Sequence, residues 1–316
     1  MNQLIVGTAC IAAALTAWGA PSAGQPELDI PAALSRLLSY GIVTEEPDDE
    51  YDDSVEILQH YAKYANGDES ITDFPYCVRL IEAGGEDNLL PVSCLRPFVT
   101  AGASIQGESG DTSPLQAAAE IGNVKVVNYL LEAGADIHYT DSALQTALDY
   151  ALMGELTPEH CEIARALLRH HALPTPAAMC RAARYHTDLL RDMLQSGGIP
   201  SPEVVNAAVW NADSLEYLLQ NGANPCAEAD NGTTPARALL QRISTGKWQA
   251  DELTRLTDLL VAHHTPFYCA CPHEEIELML PEDMPADLRA RLLSLYTTRP
   301  APTFPETDES DVEEVE

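Results

Sequence analysis

This sequence predicts an all-α solenoid of about five to six helix-turn-helix units with acidic flanking segments. Three observations predict it. Residues 113 to 141 read SPLQAAAEIGNVKVVNYLLEAGADIHYTD, which divides into two short helices and an extended link. The pattern returns one unit later, where Thr146-Ala147-Leu148 stands 33 positions after Ser113-Pro114-Leu115. The composition, 46% hydrophobic but only 6% aromatic, suits helix pairs packed through Ala and Leu.

Along the chain, Leu4 to Ala17 is an apolar run followed by Trp18-Gly19-Ala20-Pro21-Ser22-Ala23, the pattern of a secretory signal cut near Gly19 or Ala23. Residues 1–23 are therefore expected to direct export, to the periplasm or beyond, although no Lys or Arg precedes the apolar run and the cytoplasm is the alternative. The run is short for spanning a bilayer, so no stable membrane span is expected after its removal. Residues 24–73 form an acidic, partly disordered segment, centred on Glu45-Glu46-Pro47-Asp48-Asp49-Glu50-Tyr51-Asp52-Asp53. Like the acidic tail 299–316, such a run stays solvated.

The repeating part spans 74–268. A degenerate first unit places one helix at Tyr76–Glu82 and ends at Ala101-Gly102-Ala103. In the second, proline at the first helical turn gives up no hydrogen bond, Ala117-Ala118-Ala119 form a small-residue packing face, and Gly122-Asn123 turn the chain into a helix holding Val126, Val127, Leu130 and Leu131. Gly134 then takes the left-handed conformation past the last turn. The third unit starts at Thr146, carries an insertion at Met153–His160, and runs Cys161 to Arg169, with His171 at the helix-ending position. The fourth pairs Ala177–Arg184 with Leu189–Leu194, and the fifth pairs Pro202–Trp210 with Leu215–Leu219. The last opens at Asp230-Asn231-Gly232-Thr233-Thr234-Pro235, inserts Ser244 to Ala250, and ends its second helix with His263 in place of glycine. Residues 269–298 supply a loop and a capping helix, Pro285–Tyr296.

These openings, turns and period resemble the ankyrin repeat, closely for two units and loosely for the others. The resemblance implies a non-enzymatic protein-interaction or scaffold module, because partners of such arrays generally meet the finger tips and the exposed side of each first helix. It nominates His138, Tyr139, Asp141, Asp230 and Asn231 as partner-binding residues, and alanine at His138 and Tyr139 is expected to weaken capture without lowering the melting temperature. Asp230 and Asn231 also read as plain turn chemistry. The link Gly197 to Ser201 is too short for a full finger, which should interrupt any finger surface at that point.

Lys+Arg 17 against Asp+Glu 49 gives a net charge of -32, which argues against nucleic acid or anionic lipid and for a basic protein partner. No phosphate loop, nucleophile elbow or His-Glu-Xaa-Xaa-His motif is present, so neither catalysis nor a cofactor is expected. An alternative reading takes Cys269, Cys271 and His273 as soft ligands of a metal-binding or redox loop, although their spacing is not a recognised zinc pattern. Without Cys10, seven cysteines remain. In an exported protein Cys77 could pair with Cys94 across the helices of the first unit, and Cys226 with Cys269 across adjacent units; buried thiols packed as small hydrophobes are the equal alternative.

Overall fold

Several of the repeating units begin with the same piece of chemistry, a hydroxyl side chain followed by proline. The computed structural model describes residues 53–84, 89–107, 110–154, 156–226, 228–246, 248–269, 276–277 and 279–298. In it Ser113 accepts the Gln116 N–H at 3.2 Å while Gln116 Oε1 accepts the Ser113 N–H at 2.7 Å, so two orphan donors of the helix start are satisfied reciprocally. Thr146 and Asp149 repeat this capping box, and Thr157, Thr175 and Thr234 cap later helices with proline behind each.

Among the described residues the helices are α1 (Asp53–Asn66), α2 (Tyr76–Gly84), α3 (Val92–Ala101), α4 (Pro114–Glu120), α5 (Val124–Glu132), α6 (Ala147–Tyr150), α7 (Pro158–Arg169), α8 (Pro176–Tyr185), α9 (Thr187–Gln195), α10 (Pro202–Ala208), α11 (Ala212–Gln220), α12 (Pro235–Ser244), α13 (Ala250–Ala262) and α14 (Ala286–Leu295). The chain divides into two compact units, Met1–Ala182 with His186–Ile199, and Ala183–Tyr185 with Pro200–Glu316. That division falls inside the short link after Gly197 and also assigns the last turn of α8 to the second unit.

In the first unit α2, α4 and α6 stack as an inner layer and α3, α5, α7 and α9 as an outer one, with α1 packed on α2. Burial follows the sequence pattern: Ala117, Ala118 and Ala119 face the core between the layers, as do Val126, Val127 and Leu130 of α5. Polar side chains then tie each unit to the one before. Asn123 Nδ2 donates to the Leu90 carbonyl at 2.9 Å, and His160 Nε2 lies 2.8 Å from the Glu120 carbonyl at the end of α4. The second of these bonds satisfies a backbone acceptor that a helix end leaves orphaned.

In the second unit α10 packs on α12 and α11 on α13. Arg242 performs the same task here, donating from Nη1 to the Val209 carbonyl at 2.8 Å. Tyr296, just past α14, is buried and donates to the Ala236 carbonyl at 2.6 Å, with its ring edge-on to Phe267. Tyr296 thereby ties the segment after α14 to α12. A two-residue parallel pairing, β1 (Tyr268–Cys269) with β2 (Thr297–Thr298), accompanies it.

Outer helices end alike. Gly102, Gly134, Gly197 and Gly222 all have positive φ, and the next residue's N–H reaches back to a carbonyl of the helix's last turn, as Ala135 does to Leu130 at 2.9 Å. His171, with φ 69°, holds this position after α7. After α13, however, the left-handed residue is His264 (φ 58°) and not His263, whose φ is -94°. The helix ends at Ala262 as the sequence pattern suggests, and only the left-handed position falls one residue later. The insertion in the third unit is also shorter than expected, because Thr157 caps α7 and draws His160 inside the helix. Helix α1 begins inside the segment read as acidic and partly disordered, with Ile57 and Tyr61 buried. The signal pattern, the acidic run up to Asp52, the tail from 299, Cys271 and His273 lie outside the described residues.

Candidate protein-binding surface

The link Gly134 to Gln145 forms a finger. Its end is held by one carboxylate: Asp141 Oδ1 accepts the N–H groups of Ala143 at 2.9 Å and Gln145 at 2.8 Å, and Oδ2 accepts the Tyr150 hydroxyl at 2.8 Å. Burial raises the Asp141 pKa, but these three bonds outweigh it and hold the carboxylate below its ordinary range. Asp141, buried and saturated, therefore builds the finger. Its low pKa stabilises the fold above the ordinary carboxylate value, and that contribution is lost as pH falls through the folded value. Asp141→Ala is expected to cost about 2 kcal/mol near neutral pH. In thermal melts its deficit should shrink on acidification; a deficit that stays constant with pH would remove the carboxylate from this role.

Tyr139 is also tied down. Its hydroxyl donates to the Asp111 carbonyl at 2.7 Å in the preceding link, and its ring lies where a Cβ on Gly107 would collide with it. Tyr139 thus joins two fingers, which changes the expectation drawn from sequence: Tyr139→Ala should lower the melting temperature, by an amount equivalent to about 1–2 kcal/mol. Tyr139→Phe separates ring from hydroxyl and should lose roughly half of that. His138 is exposed, with its N–H on Asp136 Oδ1 at 2.9 Å, and its ring is open to a partner. Asp230 and Asn231 are exposed, and Asn231 Oδ1 accepts the Thr233 N–H at 2.9 Å, the turn chemistry anticipated for that tripeptide.

Beside this finger lies a cleft of about 290 Å³ between α2 and the link before α4, bordered by Arg79, Glu82, Gln106, Asp111 and Thr112. Arg79 and Glu82 approach to 3.7 Å across one helical turn. Sequence reasoning missed the cleft, since it is shaped by residues about 30 positions apart. It also missed Leu144, which has φ 59° with its side chain 78% exposed.

Among the described residues Cys77, Cys94, Cys161, Cys180 and Cys226 stand as thiols. Cys77 and Cys94 lie on the paired helices α2 and α3 as the register implied, but both are buried and no disulfide joins them. Burial pushes the Cys77 thiol up to about 12, the behaviour of a small apolar group. Cys226 is an exposed thiol whose sulfur lies 3.9 Å from the His264 carbonyl; the side chain of Cys269, its expected partner, lies outside the described residues. Among the described residues no three His, Cys, Asp or Glu side chains gather as a metal site, and no helix is long and apolar enough to cross a membrane.

A family model described as ankyrin repeats (3 copies) matches residues 91–178. Ankyrin repeat and SOCS box protein 5 of Bos taurus is 39% identical over 92 residues, 29% of this chain and 25% of that protein. The match therefore spans about a quarter of the length of that relative. Of solved structures, the human ASB11 ankyrin repeat domain aligns over 74% of this chain and 98% of its own, with 18% identity and a TM-score of 0.48. A complex of a predatory endopeptidase with an immunity protein, from Bdellovibrio bacteriovorus, aligns over 53% of this chain and 92% of that one, with 18% identity and a TM-score of 0.43. The described residues thus fold as an all-α solenoid of helix pairs, of which residues 91–178 match ankyrin repeats.

Proposed function

We propose that this chain is an exported, non-enzymatic interaction module that masks a basic protein. The ankyrin-repeat domain is a protein-interaction fold, and the net charge of -32 carries the choice of partner. A surface so acidic repels nucleic acid and anionic lipid and raises the encounter rate with a positively charged protein. The secretory pattern in residues 1–23 supports an extracytoplasmic meeting place.

Capture of partners from the native host by the full chain tests this directly. The expected result is a protein of net positive charge whose binding weakens at least tenfold between about 0.05 M and about 0.5 M salt, because exposed charges are screened within a few ångströms at the higher value. A neutral or acidic partner held equally at both salts would overturn the masking role. The mass of the protein recovered from that host should lack about the first twenty residues; an intact N-terminus would place it in the cytoplasm.

A further inference from the structure

The first unit exposes three large aliphatic side chains at one register position. Leu144, Leu173 and Ile199 are 78%, 66% and 79% exposed, and each stands two residues before the hydroxyl residue (Thr146, Thr175, Ser201) that starts the next helix. The same position one unit earlier is Asp111, also exposed. Each of these links is held against the first helix of the repeat before it. Gln116 Nε2 donates to the Gln145 carbonyl at 2.7 Å, Thr175 Oγ1 donates to Asp149, and Gly198 lies so close to Met179 that a Cβ there would stand 2.7 Å from its sulfur. One acid followed by three aliphatics therefore runs from link to link.

Two details show that these side chains are held outward. Leu144 occupies a left-handed backbone conformation that leucine disfavours and glycine adopts freely. Leu173 and Ile199 each precede a proline, which confines them to extended backbone. Exposed aliphatics on stiffened backbone lose little entropy when they bind.

We propose that this row docks a segment of a partner protein bearing aliphatic side chains along one edge and a Lys or Arg at the end that meets Asp111. The proposal rests on the reading of the chain as an interaction module and specifies the chemistry of what is bound. Asp111 borders the cleft beside α2, in which Arg79 already faces Glu82, so the Asp111 carboxylate is the group that receives a basic side chain. A second copy of this chain is the poorer occupant, because each copy brings a net charge of -32.

The test selects displayed random peptides on the full chain and measures their binding by fluorescence anisotropy. Enriched peptides should combine aliphatic residues with Lys or Arg toward one end. Serine at Leu144, Leu173 or Ile199 should each weaken them about tenfold, and Asp111→Asn about threefold at low salt. Leu144→Gly should weaken binding like the serine variant while raising the melting temperature, a pairing that a structural role for Leu144 would not produce. No enrichment, acidic peptides, or peptides indifferent to the three serine variants would each overturn the proposal. So would a concentration-dependent dimer abolished by the triple serine variant, which would make a second copy the occupant. A natural partner captured equally by wild type and triple variant would overturn the row alone and leave the interaction module standing.

Discussion

Aspartate at position 130 is expected to destroy the cooperative unfolding of the first unit. Leu130 lies on α5 with no exposed surface, and α5 packs between α3 and α7 in the outer layer. A carboxylate there either ionises in an apolar surrounding or drags the helix out to solvent, and each route costs more than about 4 kcal/mol, a large part of a domain's stability. In a repeat array each unit leans on its neighbours, so loss of α5 takes from α3 and α7 the helix that joins them in the outer layer. Far-ultraviolet circular dichroism on heating should show a reduced starting signal and a broad transition for Leu130→Asp. Leu144→Asp, at an exposed position, should melt like the wild type. Equal melts for both variants would mean that α5 does not face the core as described.

Loss of the Arg242 side chain should have the next largest effect, in the second unit. This guanidinium on α12 is buried, donates to the Val209 carbonyl, reaches Glu252 Oε2 at 2.6 Å, and lies 5.7 Å from the centre of the Trp210 ring. It joins the end of α10 to the start of α13 through one planar group. Arg242→Ala leaves a carbonyl and a carboxylate without their donor, opens a cavity, and should cost about 3–5 kcal/mol. Lysine keeps the charge but not the fork, and should recover less than half. The double change Arg242→Met with Glu252→Gln removes the abandoned charge and fills the space, so it should be more stable than Arg242→Ala alone. If Arg242→Ala melts with the wild type, the buried contact is not a determinant of this unit.

Residues such as Ser113, Pro114, Gly134 and Thr146 were legible because what they do is settled within about five residues. A hydroxyl reaches its own helix's N–H groups, a proline sits where no donor is needed, and a glycine takes up a left-handed turn. The misplacement at His263 came from the same rule working without a glycine to mark the position. Asp141 and Tyr139 were harder. Their side chains suit a binding finger as well as a structural one, and only the positions of Tyr150 and of Asp111 in another link decided for structure.

The sequence by itself determined the helix pairs, their order, their period and the acidity of the chain, since those depend on composition and on local hydrogen bonds. Tertiary structure alone decided which polar side chains are consumed in joining one unit to the next, that Cys77 and Cys94 pack as buried thiols, and which aliphatics remain outside the core. Exposure of a side chain is set by neighbours some 30 residues away in the chain, and a sequence pattern with a reach of one helical turn carries no record of them.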